Sequence, residues 1–167
     1  MTTDGGGWTV FQNRFDGSVD FNRNFSMFEN GFGDINGEFW LGLKYVQELA
    51  ELPTELWYDV SLNTDDRAHE RYDRFKLIGE SYILFLDAES AEKTGLATFA
   101  KYGFAILNGT EFVPYYPDLS QYCRSWWGRS ADPCMYINFN KEYGDNIFLF
   151  DQAYSPLKTT RMMIRRK

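Results

Sequence analysis

The stretch from Tyr122 to Met135 holds the only two cysteines of a 167-residue protein, Cys123 and Cys134. That spacing permits a disulfide. Closing it would fix a loop of about a dozen residues, a restraint on the unfolded state of roughly 3 kcal/mol in the chain-entropy treatment. Between the cysteines lie Arg124, Trp126, Trp127, Arg129 and Asp132, with small residues separating the large ones. Two readings are open. In one, a surface loop presents aromatic and cationic side chains to a ligand. In the other, the bridge is a structural staple and the tryptophans face the core. The rest of the sequence reads as short elements joined by turns. It has 14 glycines, and its aromatics, 19% of residues, can fill a core even where regular structure is sparse.

The length suits one domain with a sizeable core. A net charge of −7 opposes a phosphate backbone and argues against nucleic acid as a partner; the basic end at Arg161, Arg165, Arg166 and Lys167 is too small to reverse that. The apolar runs, such as Tyr82 to Leu86, are far too short to span a membrane. Asn24-Phe25-Ser26 and Asn108-Gly109-Thr110 are N-x-[ST] glycosylation patterns. Together with the cysteine pair they favour a secreted, extracellular setting.

In sequence order, Trp8 to Gln12 reads as a buried strand. Phe21, Phe25 and Phe28 fit one face of a helix starting at Asp20 and stopped by Gly31. Turns over Asn30–Gly37 precede a second helix with Leu43, Val46 and Leu49 inward, ended by Pro53. Strands are predicted at Leu56–Leu62, around Phe75 and Leu77, at Tyr82–Leu86, and at 160–165. The charged run Asp65 to Arg71, which holds the single histidine, His69, reads as a solvated turn or loop. After residue 95 no period is sustained. The coarse class is α+β.

Chemistry is sparse. One histidine makes a zinc site or a Ser-His-Asp triad improbable, and no nucleophile elbow or phosphate-binding loop is present. The protein is expected not to be an enzyme and to need no cofactor.

Several segments together resemble the fibrinogen C-terminal globular domain, or fibrinogen-related domain, the type shared by ficolins, tachylectins and invertebrate fibrinogen-related proteins. They are Met1 to Arg14, with Gly5-Gly6-Gly7-Trp8 at its centre; Asp16 to Phe21; Asn30-Gly31-Phe32-Gly33; and Gly37-Glu38-Phe39-Trp40-Leu41-Gly42. Tyr72 to Phe75, Gly79 to Ser81, Tyr154 to Thr160 and Met162 to Arg165 extend the likeness over almost the whole length. The resemblance implies a twisted, mainly antiparallel sheet with short helices beside a loop-rich binding subdomain. It divides a single domain into a sheet and helix part, residues 1–95 plus the strand 160–165, and a binding part, 96–159. It also implies an extracellular, usually oligomeric binding module. The disulfide-bonded segment that usually precedes Gly-Gly-Gly-Trp in the family is missing, so the sequence reads as a trimmed or divergent short form.

By that resemblance the Cys123–Cys134 loop lies beside the pocket. Candidate ligand contacts are the rings of Tyr122, Trp126, Trp127 and Tyr136, the donors Arg124 and Arg129, the acceptor Asp132, and Met135, which stands where the family usually has histidine. The family's acidic calcium loop is degraded to the isolated carboxylates Glu111 and Asp118, a weak pair for an ion that wants six to eight oxygens. The function expected is lectin-like binding of carbohydrate or acetylated groups in innate defence. The alternative is a protein-interaction domain for a receptor or matrix partner.

Overall fold

The computed structural model describes residues 5–64, 66–95, 104–113, 126–127, 138–140, 147–150 and 153–167, with the backbone alone at 147–150 and 153–156. Strand β1, Thr9–Arg14, runs into turns and then helix α1, Phe25–Asn30. The two-residue strands β2 (Phe32–Gly33) and β3 (Phe39–Trp40) and helix α2 (Leu43–Leu49) follow. Then come three long strands, β4 (Thr54–Leu62), β5 (Arg67–Ile78) and β6 (Ile83–Gly95). A 3₁₀ turn at Phe104–Leu107 leads to β7 (Phe112–Val113), β8 (Trp126–Trp127), β9 (Ile147–Phe150) and β10 (Ala153–Arg166).

The main sheet has the order β2-β3-β1-β10-β4-β5-β6, with β9 also paired to β10, and every pairing among the described residues is antiparallel. The α+β class is as the sequence implies. Alternation along β4 puts Leu56, Tyr58, Val60 and Leu62 on one face, where they join Tyr72, Met162 and Ile164 in a core capped by Phe28, Leu43 and Val46 of the two helices. Glu55, Trp57, Asp59 and Ser61 therefore lie on the opposite face.

The tight-turn segments are held by backbone packing. Helix α1 begins at Phe25, not at Asp20. Asn22 N donates to Asp20 Oδ1 in a local turn, and the cap is Asn24, whose Oδ1 accepts from Met27 N at 3.0 Å. Phe21 is still buried, under the Arg14 guanidinium at 4.3 Å. Gly31 closes the helix at φ +91, and a Cβ there would stand 2.3 Å from Leu41 O. A Cβ on Gly33, at φ +88, would stand 2.4 Å from Glu38 O. Glu38, 1% exposed, is cradled by backbone: its Oε1 accepts from the N–H groups of Phe15, Asp16 and Gly17 at 2.6–2.9 Å, and its Oε2 from Val19 N at 3.1 Å. The segments around Asp16-Gly17, Gly31-Phe32-Gly33 and Glu38 are thus one interlocked unit.

Three expectations are corrected. Within the run holding His69, residues 67–71 belong to strand β5, not to a solvated loop; His69 sits opposite Asp59 and Thr94, its ring stacked 4.6 Å from Trp57. The strand starting at Tyr82–Leu86 runs on to Gly95, and the terminal strand spans Ala153–Arg166 in place of the shorter 160–165. In both, pairing with neighbouring strands, β5 for β6 and β4 and β9 for β10, sustains extended backbone beyond the stretch read from the sequence.

Candidate binding site

The described parts of the loop-rich region reach the sheet at three roots. The first is the 3₁₀ turn. Glu70, fully buried on β5, accepts at Oε2 from Phe104 N (2.9 Å) and from the Tyr72 hydroxyl, which itself accepts from Ala105 N at 3.3 Å. Lys93 Nζ stands 3.3 Å from Glu70 Oε1. Burial first, and the Glu70 charge second, hold the phenols of Tyr72 and Tyr58 well above the usual tyrosine range, so both stay protonated donors. A buried carboxylate on a strand is tolerable because it is surrounded by donors.

The second root is the β7–β8 ladder, in which Phe112 pairs with Trp127 and Val113 with Trp126. Neighbouring side chains on a strand point opposite ways, so one tryptophan would be expected to face solvent. Both are fully buried. Trp127 packs on Trp40 (6.0 Å) and Phe112 (5.2 Å) and donates from Nε1 to Tyr82 O at 2.9 Å. Trp126 packs on Phe104 (5.9 Å) and Phe139 (5.4 Å), and its buried indole N–H has no partner among the described residues. The third root is Asn138–Asn140. Phe139 O accepts from Arg14 Nη1 (2.9 Å) and Gln12 Nε2 (3.2 Å), and Gln12 Oε1 accepts from Thr160 Oγ1 (3.1 Å).

This corrects part of the expected site. Trp126 and Trp127 are not rings offered to a ligand; they are the anchor that holds the loop to the core, because aromatic neighbours enclose them on both sides of β8. Tyr122, Cys123, Arg124, Arg129, Asp132, Cys134, Met135, Tyr136 and the calcium candidate Asp118 lie outside the described residues. Glu111 is exposed, and the described residues include no cluster of three metal-ligating side chains. Both sequon asparagines are exposed and use Oδ1 as an acceptor, Asn24 from Met27 N and Asn108 from Leu86 N. Each leaves Nδ2, the atom that a glycan modifies, without a hydrogen bond among the described residues. Of the residues that position the roots, Gln12 and Arg14 lie in the Met1–Arg14 segment that carries the resemblance, though they are not among the expected contacts, and Glu70 belongs to no motif; the signal shared by all three is a charged or polar residue at a buried strand position.

Among the described residues, no helix is long and apolar enough to cross a membrane. Residues 1–146 match the family described as fibrinogen beta and gamma chains, C-terminal globular domain. The protein is 34% identical to fibrinogen-like protein A of Apostichopus parvimensis, over 87% of its own length and 53% of that protein. It is 33% identical to angiopoietin-1 of Sus scrofa, over 99% of its length and 36% of that protein. It therefore spans about half of the first relative and about a third of the second. Among solved structures, the fibrinogen-like globe domain of human ANGPTL2 superposes with a TM-score of 0.81 at 29% identity, covering 99% of this protein and 82% of that one. The lamprey fibrin D-dimer, solved with the peptide ligand Gly-His-Arg-Pro-amide, shares the fold, with a TM-score of 0.76 at 24% identity, covering 98% of this protein and 62% of that one. With the sheet order, the interlocked glycine segments and these likenesses in agreement, the protein belongs to the fibrinogen C-terminal globular domain family.

Proposed function

We propose that the protein is an extracellular, non-catalytic recognition module whose ligand-contacting surface is the loop-rich part, residues 96–159. The observation that carries this reading is the construction of that part. Two fully buried tryptophans and a buried Glu70–Tyr72–Phe104 network fix its roots to a rigid sheet, and a variable loop on a rigid support is a common way to build a binding surface. The contacts proposed are Tyr122, Arg124, Arg129, Asp132, Met135 and Tyr136, closed by a Cys123–Cys134 bridge. Oligomerisation of the whole protein belongs to the same proposal; no cofactor does, since Glu111 and Asp118 are a weak pair for calcium.

Two ligand classes suit those contacts. Lectin-like binding of carbohydrate or acetylated groups in innate defence would use the tyrosine rings and the arginine donors. A protein or peptide partner, such as a receptor or a matrix component, is the second reading. Burial of Trp126 and Trp127 favours it, because two of the four rings that would stack on a sugar are occupied in the core, whereas arginine and tyrosine remain favoured anchors of protein interfaces. The lamprey relative bound to a short peptide is in keeping with it. The test displays the protein on a multivalent support against acetylated and neutral glycans and against receptor ectodomains, with and without calcium. Binding abolished by Arg124→Ala or Tyr136→Ala and competed by free sugar establishes the lectin reading; the same loss without sugar competition establishes the protein reading. Binding unaffected by any alanine change within 96–159 would overturn both.

A further inference from the structure

The sheet face turned away from the core carries a cleft of about 330 Å³ across β1, β10, β4 and the start of β5. Register assembles it. Asp59 lies opposite Arg161 on one side and His69 on the other, Ser61 lies opposite Arg67, and Asn13 lies opposite Arg161. Phe15, 43% exposed, forms part of the wall, and Lys158 lines it as well.

Two guanidiniums thus flank one half-buried carboxylate, yet among the described residues no ion pair closes the cleft. None of the pairs within 4.0 Å there includes Asp59, Arg67 or Arg161. The one hydrogen bond of the Arg161 guanidinium among the described residues is long, 3.4 Å from Nε to Asn13 Oδ1. Elsewhere on the same face opposite charges do meet, Arg165 with Glu55 at 2.7 Å and Arg71 with Glu92 at 2.6 Å. The cleft is the exception: its donors and its acceptor are held apart around a space.

Arginine forks match carboxylate and sulfate oxygens. A carboxylate, an amide and a hydroxyl beside them suit ring hydroxyls, and an exposed aromatic ring suits the apolar face of a sugar. The volume is at the small end of the roughly 300–1,000 Å³ usual for ligand pockets, enough for one ring rather than a folded segment of protein. We propose that this cleft is a second binding site, on the sheet and distinct from the Cys123–Cys134 loop, for an acidic sugar: one ring carrying a carboxylate or a sulfate. Arg67 and Arg161 hold the anionic group, Asp59, Asn13 and Ser61 take hydroxyls, and Phe15 covers the ring.

The test is a titration of the ¹⁵N-labelled protein with glucuronic acid, with N-acetylglucosamine 6-sulfate, and with glucose and sodium sulfate as controls. The expected result is amide shifts at residues 13, 59, 61, 67 and 161, with at least one acidic sugar binding tenfold or more tighter than both glucose and inorganic sulfate. The two acidic sugars decide between carboxylate and sulfate. Arg67→Gln, at an exposed position, should weaken binding at least tenfold while leaving the urea midpoint near that of the parent, and Phe15→Ala should weaken the sugars without weakening sulfate. Absence of shifts at these residues, sulfate binding as tightly as the sugars, or full binding by Arg67→Gln each overturns the proposal.

Discussion

Glu38 offers the sharpest test of how the N-terminal third is held together. Its carboxylate accepts four backbone N–H groups, three on Oε1 and one on Oε2, from residues 19 to 23 positions earlier in the sequence. Hydrogen bonds to a charged group contribute about 1.5–3 kcal/mol each when taken singly. They do not add here, because Phe15, Asp16 and Gly17 are exposed and water can reach their amides once the carboxylate is gone. Glu38→Ala is therefore expected to cost about 3–4 kcal/mol in all. Glu38→Gln keeps an oxygen for the Oε1 trio but turns an N–H toward Val19 N and loses the charge, at a cost of about 1.5–2 kcal/mol. At a few degrees per kcal/mol for a protein of this size, the alanine variant should melt about 10 °C lower. Urea unfolding followed by tryptophan emission and by near-ultraviolet dichroism would measure both variants. A loss below about 1 kcal/mol for Glu38→Ala, or a glutamine variant as damaged as the alanine one, would refute the cradle as the origin of the stability.

Three further outcomes are expected. Burial raises the Asp59 pKa against the pull of Arg67, Arg161 and His69, so the folded state holds this proton more tightly than the unfolded state does, and the ionised group costs stability as pH climbs past the ordinary carboxylate range. Asp59→Asn should then unfold at higher urea than the parent at pH 7, the difference vanishing below about pH 4; a gain that persists in acid would contradict this. Glu70→Ala strands Lys93, Tyr72 and Phe104 N and should cost about 3–5 kcal/mol, whereas Tyr72→Phe, which removes one donor, should cost about 2 kcal/mol by the same denaturation assay. Gly33→Ala places a Cβ 2.4 Å from Glu38 O at a positive φ and should cost more than about 1 kcal/mol, whereas Gly79→Ala, with nothing within 4 Å of the added carbon, should show only the cost of its own positive φ.

Where side chains follow a plain period, sequence and structure agree. Trp8 to Gln12 reads as a strand and lies in β1 from Thr9 on, and Phe28 and Gly31 mark the buried face and the end of α1. The start of that helix is not legible, because Phe21 is buried for a reason unrelated to helical spacing, its contact with Arg14. The second half of strand β5, around Phe75 and Leu77, is legible, but its first half is hidden because one of its inward residues is Glu70, whose charge is satisfied by groups distant in sequence. The family resemblance rests on glycine and acidic positions whose role lies in backbone contacts: Gly31, Gly33 and Glu38 touch main chain, and such contacts leave sharp residue requirements. The tryptophan pair is ambiguous for the opposite reason. Nothing in Ser125-Trp126-Trp127-Gly128 says that both sides of a two-residue strand will be covered, since the covering rings, Trp40, Phe104 and Phe139, come from distant segments. The cleft on the far face is equally out of reach of the sequence, being made by register between four strands.

The place of β10 in the middle of the sheet governs how the protein is made. Thr9 pairs with Ile164 and Leu56 with the same residue from the other side, so β1 and β4 are neighbours only through a strand synthesised some 150 residues after the first. At roughly 5–20 residues per second, β1 waits on the order of ten to thirty seconds on the ribosome with its intended partner unmade. During that interval two apolar strand edges stand open, and pairings of such long sequence separation form slowly even afterwards. A nascent polypeptide of this design is exposed to wrong partners until β10 emerges, and its dependence on chaperones should be greatest just before that strand is made.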